Sequence, residues 1–182
     1  MRALGINIFT IPVILGVAGI FFSCVNDLER IKEVSSIEHA PDEASRNLNV
    51  IYTDSGYAKL ELTATIAESY NETQKTKLKD GLKVKFFNDN GEVVSILTAL
   101  YGEIDKNTGD MFVRDSVELK NVEQNKILKS EELIWDKKGD SVYTEKAVTI
   151  TYPNMILYGQ GAKTNRNFDT AFVYNVKARV NK

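Results

Sequence analysis

The segment Leu97-Thr98-Ala99-Leu100-Tyr101-Gly102-Glu103-Ile104-Asp105 carries a spacing that returns along the chain. The pattern is Leu, any residue, a small residue, two of any, a small or apolar residue, two of any, then a turn-forming residue. Leu128-x-Ser130-x-x-Leu133-x-x-Asp136 repeats it, as does Leu157-x-Gly159-x-x-Ala162-x-x-Asn165. Leu62-x-Ala64-x-x-Ala67 matches the first half and ends loosely, with Asn71 one place late. Four copies at intervals of roughly 30 residues define a repeat architecture. A unit this small cannot bury its own apolar face, so the units must stack and share one core.

Between these marks the chain alternates. Ala58, Leu60, Leu62 and Ala64 interleave with Lys59, Glu61 and Thr63, and Leu82, Val84 and Phe86 interleave with Lys83 and Lys85. Strict alternation predicts strands with one buried face. Turn chemistry falls at Asp54-Ser55-Gly56, Lys79-Asp80-Gly81, Asn88-Asp89-Asn90-Gly91, Asp105 to Gly109, Asp136 to Gly139, Pro153-Asn154 and Asn165 to Asn167. The disturbed period over Ile66 to Tyr70 predicts a bulge or bend. Phe172, Tyr174, Val176, Ala178 and Val180 are expected on one face of a last strand. Short strands separated by turns predict an all-β sandwich or roll. The small residues Ala64, Ala99, Ser130 and Gly159 hold one equivalent place in each repeat, which suits either a tight corner or room for something inside.

Composition narrows function by exclusion. Hydrophobic residues make up 43% of the chain, enough for a packed interior. The formal net charge of −2 is interspersed, which argues against a nucleic-acid partner. One cysteine forbids an internal disulfide, and one histidine, His39, disfavours a metal centre or a nucleophilic triad. No cofactor and no metal are expected. Glu131 with Glu132, and Asp136 with Asp140, are the carboxylate pairs that a glycosidase would need. The first pair are strand neighbours facing opposite ways, and the second sit in a turn. The chain therefore reads as a non-enzyme. A glycan-binding or glycan-hydrolysing β-sandwich lipoprotein is the alternative, and a ligand-free structural lipoprotein is a third reading.

The N-terminus reads as an export signal. Arg2 precedes an apolar run from Ile6 to Phe22, and polar residues begin at Asn26. Ser23-Cys24 at its end resembles the bacterial lipobox, with Phe21 where Leu is usual. This predicts a signal peptide over 1–23, lipid attachment at Cys24, and a tether over 24–47 leading to a folded domain over 48–182. The alternative is an uncleaved N-terminal helix, since the run approaches the ~20 apolar residues of a membrane span. Acyl chains at Cys24 would hold the protein to a membrane at about 0.8 kcal/mol per buried methylene.

The repeated Leu-x-small-x-x-Ala unit, closed by an acidic turn, resembles the OstA-like family of lipopolysaccharide export over Leu48 to Val180. A single such domain behind a membrane tether is similar to the LptC branch of that family. The resemblance implies an open antiparallel β-jellyroll, or β-taco, with an apolar groove. It implies a periplasmic protein on the inner membrane that takes lipopolysaccharide from an ABC transporter and passes it to a bridging OstA-like protein. The tether departs from the better-known LptC proteins, which carry a transmembrane helix. Groove-lining candidates are Leu62, Val84, Phe86, Leu97, Ile104, Val117, Leu119, Leu128, Trp135, Val148, Ile150, Leu157, Phe172, Tyr174 and Val176. The terminal runs Leu48 to Thr53 and Phe172 to Val180 are the edges expected to accept partner strands.

Overall fold

The computed structural model describes residues 40–181. The calls at His39, at Cys24 and on the signal peptide lie outside the described residues. Eleven strands follow one another: β1 (Glu43–Asp54), β2 (Tyr57–Tyr70), β3 (Lys75–Phe87), β4 (Val93–Ala99), β5 (Tyr101–Asp105), β6 (Met111–Asn121), β7 (Lys126–Asp136), β8 (Ser141–Thr151), β9 (Met155–Asn165), β10 (Ala171–Val173) and β11 (Ala178–Asn181). All pair antiparallel in a single sheet ordered β1-β2-β3-β4-β6-β7-β8-β9-β10, with β5 between β3 and β6 and with β11 also on β9. Among the described residues there is no helix, and the architecture is the open β-jellyroll expected.

The strands are longer than the turn signals suggest. Lys79-Asp80-Gly81 is not a chain reversal but a bend inside β3, and Lys75 to Lys79 before it is strand as well. β1 likewise starts at Glu43, ahead of Leu48. Each long strand bends once, and the bends line up. Along this line register shifts fall between Ala64 and Ile66, between Arg114 and Val117, between Ser130 and Ile134, and between Thr144 and Ala147, and two others, at Tyr52/Thr53 and Phe86/Phe87, lie near strand ends away from it. Residues with positive φ mark the same line: Asn47 (53°), Asp80 (60°), Gly81 (101°), Asp115 (68°), Ser116 (56°), Gly161 (83°) and Asn175 (45°). Across the break between β4 and β5, Gly81 N–H donates to Leu100 O (3.0 Å) and Leu100 N–H to Asp115 O (2.9 Å). The sheet thus folds over on itself, and each strand from β2 to β9, counting β4 with β5, serves two layers.

This bend explains the repeat. In β2, β4–β5, β7 and β9 the inward residues are Leu62, Ala64 and Ala67; Leu97, Ala99 and Gly102; Leu128, Ser130 and Leu133; and Leu157, Gly159 and Ala162. Alternation advances by two along a strand, but the bulge inserts one residue, so the step across the corner is three. Small side chains stand on either side of it because the two layers converge there. A Cβ on Gly102 would lie 2.7 Å from Leu82 Cδ2, and a Cβ on Gly159 would overlap Val173.

The inner faces of both layers merge into one core, with Phe86, Leu78, Leu97, Leu119, Leu128, Leu133, Ile150 and Phe168 all under 2% exposed. Each such side chain contributes about 1.5–3 kcal/mol by leaving water. Phe86 meets Trp135 edge to face, ring centroids 5.4 Å apart, and so joins the layers. The outer faces carry cross-strand ion pairs, among them Lys85 with Glu61 (2.8 Å) and Lys79 with Glu68 (2.6 Å). Such exposed pairs add at most ~1 kcal/mol each.

Candidate functional site

The candidate site is the space between the two layers. Its middle is filled by the protein's own side chains. Leu62, Val84, Phe86, Leu97, Val117, Leu119, Leu128, Trp135, Val148 and Ile150 are all buried there, while Ile104 and Leu157 are half-buried and pack against the same core. Twelve of the expected lining residues are therefore brought together on one interior.

The other three are not. Phe172 pairs with Lys163 on the outward face and is 68% exposed, and Tyr174 and Val176 are exposed as well. The last strand is not continuous. β10 pairs with Ala162 to Thr164 and β11 with Met155 to Tyr158, separated by the bend at Asn175. In β10 it is Ala171 and Val173 that pack against the core. In β11, Arg179 stands opposite the inward Leu157, while Ala178 and Val180 stand opposite Tyr158 and Ile156. The expected face is thus inverted. The backbone bonds fix this register: Tyr174 N–H donates to Gly161 O (2.9 Å), and Lys177 N–H donates to Tyr158 O (2.9 Å).

Under β1 the layers part. A cleft of about 290 Å³ opens there, lined by Glu43, Ser45, Leu48, Val50, Leu62, Ala67, Ser69, Thr76 and Ile104. Every one of these side chains belongs to an inner face. Leu48, Val50 and Tyr52 alternate inward on β1 opposite Ala64, Leu62 and Leu60, yet Val50 remains 43% exposed and Tyr52 41% exposed. Besides forming an edge, this run carries in its alternation the mark of the inward set. Two larger clefts, one around Asn49, Thr63 and Lys83 and one around Tyr143, Lys163 and Tyr174, take in outward-facing positions near the bend.

Polar residues also point inward. Ser95, Asn121 and Lys126 are buried in three neighbouring strands, in register with one another. They share the parity of Leu97, Leu119 and Leu128, which was the signal available for finding them. Burial pushes the Lys126 ammonium's pKa down, and nearby Asp169 opposes that shift. The long side of the roll opposite the bend is crossed above these strands by the loop from Arg166 to Thr170. Among the described residues no three histidine, cysteine, aspartate or glutamate side chains gather as a metal site. Asp136 accepts a bond from the Gly139 amide (2.9 Å) and Asp140 lies 3.4 Å from Arg166. Both carboxylates are engaged by the turn they sit in and by its neighbour.

Comparison with known proteins bears on the whole of this geometry. The sequence profile of a family described as lipopolysaccharide-assembly, LptC-related, matches residues 11–181. No curated protein matches the chain. A profile over residues 11–181 spans all eleven strands, and with them the bends and both edges of the sheet. The chain belongs to the LptC-related family of lipopolysaccharide assembly, a transport component of the periplasm associated with the inner membrane.

Proposed function

We propose that this protein shelters the acyl chains of lipopolysaccharide between its two layers, receiving the lipid from the inner-membrane ABC transporter and handing it to a bridging β-domain protein. The observation that carries this reading is the cleft under β1, an apolar interior left open at one end of a roll whose middle is packed. Water contact costs about 0.8 kcal/mol per methylene, so a fatty chain gains by entering such a space. The exterior of charged residues keeps the carrier itself soluble.

Hand-off would use the sheet edges. Among the described residues β1 pairs only with β2, and its outer edge presents unpaired backbone groups. An edge of this kind recruits a partner strand. A partner strand added there would extend the cleft into the partner's own interior. The C-terminal edge is the second candidate, made of two short strands instead of one. A lipid anchor at Cys24, with a tether that ends where β1 begins at Glu43, completes the proposal by keeping the carrier at the inner membrane.

A photo-crosslinking amino acid at Val50 tests the site against its neighbour Ile51, which is 59% exposed on the opposite face. Cross-linking of lipopolysaccharide from position 50 and not from position 51 is the expected result. Equal labelling at the two positions would refute the groove.

A further inference from the structure

The loop from Arg166 to Thr170 is seated between the layers in an unusual way. Three side chains on adjacent strands each donate to a backbone carbonyl of the loop. Ser95 Oγ donates to Arg166 O (2.5 Å), Asn121 Nδ2 to Asn167 O (2.9 Å), and Lys126 Nζ to Asp169 O (2.5 Å). Between them Phe168 is fully buried, with the Lys126 ammonium 4.7 Å from its ring centroid. The loop thus presents a row of carbonyl oxygens to a row of donors and one hydrocarbon side chain to the core.

Its seat is imperfect. Phe168 has φ +56°, a left-handed backbone that a bulky residue rarely adopts and that stores strain. The Asn167 Oδ1 atom is buried without a partner, a cost that release of the loop would remove.

We infer that this loop is a built-in stand-in for the lipid, and that an acylated amphiphile displaces it. The ligand chemistry is that of ester- or amide-linked fatty acyl chains, whose carbonyl oxygens take the bonds of Ser95, Asn121 and Lys126 while a chain takes the place of Phe168. A bare hydrocarbon in the loop's place would leave those donors buried and unpaired, so the site favours a ligand bearing acceptors. Held shut, the loop keeps the long side of an empty carrier from exposing its core. The inference rests on the carrier reading and adds where the acyl linkages sit and what gates them.

Amide hydrogen exchange on the full chain tests it, with purified lipopolysaccharide in a mild detergent and detergent alone as control. Exchange of the Phe168 and Asp169 amides, which are bonded to Asn165 O and Oδ1, should quicken tenfold or more on binding, while the β4 amides keep their protection. Lipopolysaccharide that binds with these amides unchanged or further protected overturns the inference and leaves the carrier reading standing. Absence of any binding overturns both. A second variant reads the same site: Phe168→Ala should bind lipopolysaccharide several-fold more tightly, and weaker binding at an unchanged melting temperature counts against displacement. Should that variant fail to fold, exchange on the unaltered chain decides alone.

Discussion

Tyr101 shows how a single outward residue can be tied to pH. Its hydroxyl donates to Glu103 Oε1 (2.7 Å), and the Arg114 guanidinium lies 4.1 Å from its ring centroid. Burial first, and the Glu103 carboxylate second, push the phenol up to about 12. Glu103 is in turn held below the usual carboxylate range, by the Tyr101 hydroxyl and then by Lys75. The phenol's share of stability is complete below its ordinary value near 10 and is lost as pH rises from there towards 12. The carboxylate's share is present above its ordinary value of 4.5 and fades as pH falls below it. Tyrosinate absorbance should therefore show a late-ionising component, to which Tyr70 and Tyr152 also contribute, and Tyr101→Phe should shrink it by one tyrosine. A late component of unchanged size in that variant would place it on another of the eight tyrosines. Alternation in sequence places Tyr101 and Glu103 on one face. It does not say that the pair is partly shielded, because shielding depends on neighbours such as Arg114 that come from another strand.

At the scale of elements, the bend is the feature to test, because it turns a flat sheet into a roll. Gly81 and Gly102 sit on either side of the corner for different reasons. Gly81 has φ +101° and open space where a Cβ would go, with Thr65 Oγ1 3.9 Å away. Gly81→Ala should cost about 1–2 kcal/mol through backbone conformation alone. Gly102 has no such backbone demand, but its Cβ would meet Leu82 and Val113 where the layers converge. Gly102→Ala should cost about 1–3 kcal/mol through overpacking. Urea unfolding of both variants checks this, and relief of the Gly102→Ala defect by Leu82→Ala, with none at Gly81→Ala, would separate the two causes. The repeat in the sequence was the trace of this corner, since the step of three between Ala99 and Gly102 is a bulge written in residues. The bends of β3, β6 and β8 left a weaker trace. Their inward pairs Leu78 and Leu82, Val113 and Val117, and Thr144 and Val148 are four apart, which keeps the alternation in phase and hides the break. That is why Lys79-Asp80-Gly81 resembled a turn. The C-terminal strands misled for a related reason. A one-residue slip inverts a whole strand, and here the inversion is already present in β10 and persists past the bend at Asn175: Ala171, Val173 and Arg179 take the inward side while Phe172, Ala178 and Val180 share the outward one, so apolar spacing alone could not say which side faces in.

For the molecule as a whole, the shared strands decide how it can open. Each strand from β2 to β9, with β4 and β5 as one broken strand, gives one half to each layer, so neither layer can unfold while the other keeps its ladder and its buried face. The two layers should then melt together, as small single domains generally do. Trp135 lies in one layer and Phe86 in the other, in edge-to-face contact, so the indole fluorescence and the far-ultraviolet backbone signal should share one urea midpoint. Phe86→Ala should move both midpoints down by the same amount, a loss of about 3–5 kcal/mol for a large buried aromatic. Two separated midpoints would mean that the layers are independent, and access to the interior by partial unfolding would then become reasonable. A single transition leaves the openings of the roll itself: the cleft under β1, beyond which no further strand of the described residues covers the interior, and the long side closed by the loop from Arg166 to Thr170. A lipid that enters without unfolding the roll must pass one of these two, which is why the free edge of β1 and the seat of Phe168 carry the functional argument and the well-packed centre does not.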